Sequence, residues 1–134
     1  MLNQVIEHDF HNHFLISSFG HHTILKSVSK ARQAHHPYPK FDIVHLLNYH
    51  NEPLMSYDDL LAYLKEHNSD GINVSANHVT HELVAMCHEQ GIKVGVWVRA
   101  KDFQESSTFY ERMCEIGVDF ICSDYPIEAM QTID

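Results

Sequence analysis

Short continuous apolar runs alternate along this chain with longer amphipathic stretches. The apolar runs lie at 14–19 (FLISSF), 41–47 (FDIVHLL), 70–74 (DGINV), 93–98 (KVGVWV) and 120–122 (FIC). They are too short for ordinary helices and lack the strict alternation of a strand with one wet face. That pattern predicts strands buried on both sides.

Between the runs, apolar residues recur at helical spacing. Ile24, Leu25, Val28 and Ala31 share one face, with Lys26, Lys30 and Arg32 outward; Thr23 is placed to cap this helix, and His35-His36-Pro37-Tyr38-Pro39 breaks it. Ser56 followed by Asp59 is an acidic variant of the capping box, and Met55 is placed to staple onto Leu60. Leu60, Leu61 and Leu64 form the buried stripe of a helix that runs to about His67. Thr80 caps a helix that buries Leu83, Val84 and Cys87 and stops at Gly91; another spans roughly Ser106 to Glu115 and stops at Gly117. Leu2, Val5 and Ile6 read as the tail of a further helix.

The strand centres, near Ile16, Val44, Ile72, Val96 and Ile121, recur about every 25 to 30 residues, the length of one β/α unit. The expected fold is therefore α/β, with about five parallel strands and alternating helices in a single domain over 1–134.

Composition narrows the function classes. At 44% hydrophobic residues the chain has material for a core, which argues against disorder. Nine Lys+Arg against 18 Asp+Glu give a net charge of −9, and the scattered cations form no stripe for a phosphate backbone, so nucleic acid is not an expected partner. No window approaches ~18 consecutive apolar residues, and Met1-Leu2-Asn3-Gln4 lacks the features of a signal peptide, so a cytoplasmic protein without a membrane span is expected. Cys87, Cys114 and Cys122 lack CxxC spacing and read as buried, reduced thiols.

The segment from Val79 to Pro126 carries an ordered set of landmarks. VTHELVAMCHEQGIKVGVWV is followed by a helix and then by GVDFICSDYP; upstream stand Ser17-Ser18-Phe19 at a strand end and Asn73 in the strand before the VTHELV helix. This arrangement resembles the C-terminal part of the glycerophosphodiester phosphodiesterase family, whose members hydrolyse glycerophosphodiesters to glycerol 3-phosphate and an alcohol. The resemblance implies a (β/α)8 TIM-like barrel of which this chain is the C-terminal portion, starting near the fifth strand. Such a barrel takes about 250 residues, and the 134 residues here are about half of that.

Phosphodiester hydrolysis needs neutralised phosphoryl charge, a deprotonated attacking group and a protonated leaving group. In the family these tasks fall to a divalent cation, Mg or Ca, held by carboxylates, and to two histidines, in His-Arg, Glu-x-Asp, His-Asp and Glu-x-Lys motifs that precede the matched region. This chain contains no His-Arg and no Glu-x-Lys, and Glu7-His8-Asp9 is a short decoy that cannot serve as two motifs at once. The resemblance therefore implies no catalytic residue, no metal ligand and no cofactor in this chain, which is expected to be inactive alone.

What the resemblance does carry over is a substrate-binding set: Trp97 against the alcohol moiety, joined by Ser18, Phe19, Asn73 and Asp124. An interior Trp, strand-end polar residues and an ordinary Asp-x-Pro helix cap are the alternative readings of these positions. The family's Trp-Thr-x-Asn becomes Trp97-Val98-Arg99-Ala100, without the Thr hydroxyl and the Asn amide.

Two rival readings remain open. His8, Asp9, His11 and His13 form an H-D-x-H-x-H cluster with ligands suited to zinc, nickel or copper, or else a solvated loop. An open five-stranded sheet would also have two unpaired edges, which predicts a homo-oligomer or a complementary half-barrel as partner, beside a glycerophosphodiester-type small molecule once completed. His21-His22 and His35-His36 are neighbours expected to point apart, His45 is expected to be a satisfied interior histidine, and His78, His81 and His88 are expected to be solvated. No cysteine has an evident base nearby, which argues against a cysteine hydrolase.

Overall fold

The computed structural model describes residues 15–34, 41–47, 56–98 and 105–133. Five strands, β1 (Leu15–Ser18), β2 (Asp42–Leu46), β3 (Gly71–Ser75), β4 (Lys93–Trp97) and β5 (Phe120–Cys122), form one sheet in sequence order with every neighbouring pair parallel. Helices follow the strands in turn: α1 (Lys26–Ala34), α2 (Tyr57–Glu66), α3 (His81–Glu89), α4 (Ser107–Ile116) and α5 (Pro126–Ile133). Strictly sequential parallel order, with a helix on each crossover, is the arrangement of a barrel segment and not of a doubly wound sheet. The five strands curl into a half-barrel.

Register assigns each side chain to a face. Ile16 pairs with Ile43, His45 with Ile72 and Ile72 with Val94, and Val74 with Val96 and Val96 with Ile121. These rows meet the helices: Ile72, Val74, Val94 and Val96 are buried with Leu60 and Leu64 of α2, Leu83, Val84 and Cys87 of α3, and Phe109 and Met113 of α4. Burying each such aliphatic side chain contributes about 1.5–3 kcal/mol, so this layer holds the fold together. The alternate rows, Ser17–Val44–Gly71, Leu46–Asn73–Gly95–Phe120 and Ser75–Trp97–Cys122, line the concave face. Gly95 is needed there because a Cβ at this position would lie 2.0 Å from Cε2 of the Phe120 ring.

Most helix ends fall where the sequence places them. The hydroxyls of Ser56, Thr80 and Ser106 accept from the N–H groups of Asp59, Leu83 and Phe109 at 3.2, 3.0 and 3.3 Å. Gly91 and Gly117 take φ of +71° and +90°, the left-handed stops.

The first helix departs from expectation. Thr23 does not cap it; the chain enters through a π turn, His21–Leu25, in which the N–H groups of Ile24 and Leu25 both reach the Gly20 carbonyl. The extra residue in this turn rotates Ile24 off the buried face, leaving it 53% exposed while Leu25 is buried. Arg32 is not a free outward charge: its Nη1 donates to Asp70 Oδ2 at 2.6 Å and to the Phe41 carbonyl at 2.8 Å. Cys87 is buried as expected, but Cys114 and Cys122 are exposed. The expected helix tail at Leu2–Ile6, the Met55 staple, the His8/His11/His13 cluster and His35-His36 lie outside the described residues. No helix among the described residues is long and apolar enough to cross a membrane.

Candidate functional site

In a parallel barrel the carboxyl ends of the strands carry the chemistry, and that rim of the concave face collects most of the sequence-selected residues. Trp97 ends β4 and Phe19 follows β1. Their rings meet edge to face with centroids 6.4 Å apart, although β2 and β3 lie between their strands. The curl of the sheet makes this contact, and it creates an apolar shelf across the mouth. Phe19 remains 55% exposed, so the shelf faces outward.

Asn73 sits one register row below Trp97 on the neighbouring strand. It is buried, its Nδ2 donates to Cys122 Sγ at 3.2 Å, and its Oδ1 has no hydrogen-bond partner among the described residues. Leaving a buried acceptor unsatisfied costs about 1–3 kcal/mol. Ser17 adds a second buried oxygen on the same face without a partner among the described residues. Ser18 alternates with Ser17 and belongs to the helix-facing side, where its hydroxyl accepts from the Gly20 N–H at 2.9 Å.

Asp124 lies beyond β5, exposed, in a turn that is anchored from another element. Glu105, just ahead of α4, accepts from the Tyr110 hydroxyl at 2.6 Å, from the Ser123 hydroxyl, and from the Asp124 N–H at 3.0 Å. Its carboxyl is held below the ordinary range: burial works to raise it, and the three donors together outweigh that burial. Tyr125 N–H donates in turn to Ser123 Oγ at 2.9 Å. The Asp-x-Pro turn is thereby fixed relative to α4, with the Asp124 carboxylate left on the surface.

Of the five residues selected from sequence, the structure brings Phe19, Trp97 and Asn73 to one rim, sets Ser18 on the opposite side of β1, and places Asp124 at the edge. Sequence reasoning missed Ser17 and Glu105. Ser17 was recoverable, since strand alternation decides between two adjacent serines once Phe19 is placed on the rim. Glu105 carried no local signal, because its three donors come from α4 and β5.

Among the described residues no cluster of three or more His, Cys, Asp or Glu is placed to hold a metal ion. Lys93 pairs with Asp42 at 2.5 Å at the amino ends of β4 and β2, the wrong end for barrel chemistry.

The glycerophosphoryl diester phosphodiesterase family model matches residues 2–128. No curated protein matches the chain. Among solved structures, a candidate glycerophosphodiester phosphodiesterase from Galdieria sulphuraria is 24% identical with a TM-score of 0.75, the match covering 99% of this chain and 49% of that one. A glycerophosphodiester phosphodiesterase from Parabacteroides distasonis is 20% identical with a TM-score of 0.66, covering 97% and 47%. A candidate glycerophosphoryl diester phosphodiesterase from Silicibacter pomeroyi is 20% identical with a TM-score of 0.71, covering 98% and 41%. The chain thus spans less than half the length of each of these three proteins, and at these identities the likeness shows the shared fold.

Proposed function

The chain belongs to the glycerophosphoryl diester phosphodiesterase family, and from that premise we propose that it supplies the substrate-facing wall of a phosphodiesterase barrel and does not hydrolyse phosphodiesters alone. The observation that carries the reading is the buried Asn73 Oδ1, without a partner among the described residues, beside the Trp97–Phe19 shelf. An acceptor without a partner in a buried setting fits a donor brought by a ligand. Under this reading Asn73 accepts from a hydroxyl of a glycerophosphodiester while Trp97 and Phe19 cover its alcohol moiety and exclude water. Ser17 offers a second polar contact, and Glu105 keeps the Ser123–Tyr125 turn at the rim.

The divalent cation, magnesium or calcium, and the proton-transferring groups are assigned to none of these residues. They belong to the part of the barrel that carries the His-Arg and Glu-x-Asp motifs. A cytoplasmic setting is part of the same proposal, supported by three free thiols.

The test of the wall is Trp97 emission during titration with glycerophosphocholine. A saturable change that Asn73→Ala weakens is expected; a flat response would remove the substrate role.

A second reading, an assembly module that pairs with a second copy or with a complementary half-barrel, is favoured by α5. Ile127 and Met130 are 67% and 63% exposed, and with Ile133 they form one apolar stripe.

A further inference from the structure

Four histidines that the substrate wall does not use converge on the helix-facing side of the sheet. His21 and His22 lie in the π turn after β1, His45 in β2 and His67 at the end of α2. Ring centroids are 4.8 Å apart for His21 and His45, 5.8 Å for His45 and His67, and 5.3 Å for His22 and His67. With Lys26 and Lys30 of α1 they line a cavity of about 490 Å³. Neighbouring histidines in regular structure point apart, but the π turn brings both His21 and His22 to this wall.

Hydrogen bonds fix the tautomers. His21 Nε2 donates to the Leu46 carbonyl at 2.6 Å, so its Nδ1 accepts from the Tyr63 hydroxyl at 2.7 Å. His67 Nδ1 donates to the Tyr63 carbonyl at 2.9 Å. The Ser69 hydroxyl donates to the Gly71 carbonyl at 2.7 Å and therefore accepts from His45 Nδ1 at 2.8 Å. His45 and His67 thus keep their lone pairs on Nε2.

Clustered imidazoles bring a metal to mind, but among the described residues no three ligands are placed to hold one. The remaining charges decide the chemistry. Lys26 and Lys30 stand four apart on one face of α1, and Glu66 is the lone carboxylate among the lining residues. In a chain of net charge −9, a cavity where cations outnumber carboxylates attracts anions.

We propose that this cavity binds a small, doubly charged tetrahedral oxyanion, of the phosphate or phosphate-monoester class, held by Lys26 and Lys30 beside the His22 and His67 rings. The site lies on the opposite face of the sheet from Trp97 and is independent of the substrate wall.

Sulfate is the first probe because it is a tetrahedral, doubly charged oxyanion. Following the ring resonances of His22, His45 and His67 by NMR, sulfate should produce saturable shifts. The double variant Lys26→Gln, Lys30→Gln, at two exposed positions, should weaken binding about tenfold. Inorganic phosphate and glycerol phosphate form the second arm, at one pH: equal affinity identifies the free oxyanion as the ligand, and tighter binding of the ester identifies a phosphomonoester. Absence of saturable shifts, unchanged affinity in the double variant, or shifts centred on Trp97 would overturn the proposal.

Discussion

His45 is held neutral. Buried at 1% exposure, its pKa falls from the ordinary 6.5 to about 4, first through burial and then through the neighbouring His21, His67 and His22 rings. Because the folded value lies below the unfolded one, the unfolded chain takes up the proton first. The stabilising effect of the neutral ring is complete above pH 6.5 and is lost as pH falls from there through about 4. That lowering corresponds to about 3 kcal/mol. Urea midpoints at pH 7 and pH 5 should therefore drop less for His45→Gln than for the unaltered chain; parallel drops would contradict the assignment. Gly95 makes a steric prediction. Gly95→Ala should cost about 1–3 kcal/mol by driving a Cβ into the Phe120 ring, and Phe120→Ala in the same chain should recover part of that loss, as a denaturation series would show.

Elements are joined by carboxylates whose partners lie far away in sequence. Asp70 Oδ2 accepts from Arg32 of α1 and from the Ile43 N–H of β2 at 2.8 Å, so one side chain ties three elements at the amino end of the sheet. Glu105 does the same at the carboxyl end, between α4 and the turn after β5. Glu105→Ala should lower the hydrogen-exchange protection of the Asp124 amide and destabilise the fold by about 1–3 kcal/mol, with α1 and α2 unaffected. These ties mark the boundary of what the sequence discloses. The strands, the caps at Ser56, Thr80 and Ser106 and the stop at Gly117 depend on residues within a few positions of one another, and all were legible. The π turn was not, because the choice between i+4 and i+5 bonding at Gly20 is decided by where His21 finds Tyr63 and Leu46. Within the candidate site, Trp97, Phe19 and Asn73 were found through motif resemblance, whereas Ser17 needed the register and Glu105 needed the tertiary fold.

At the scale of the whole molecule, five parallel strands in sequential order leave β1 and β5 as the outermost strands of the described sheet. α5, which follows β5 in the chain, exposes Ile127, Met130 and Ile133. Light scattering at micromolar concentration should show association that Ile127→Lys with Met130→Lys reduces; a monomer insensitive to these changes would dismiss the assembly reading. The central claim is a division of labour, in which this part of the barrel shapes the substrate and another part holds the cation and moves the protons. It is tested most directly by incubating the purified chain with glycerophosphocholine and Mg²⁺ or Ca²⁺ and measuring choline release. The account predicts no metal-dependent release above the uncatalysed background; metal-dependent release at enzyme-like rates would contradict it.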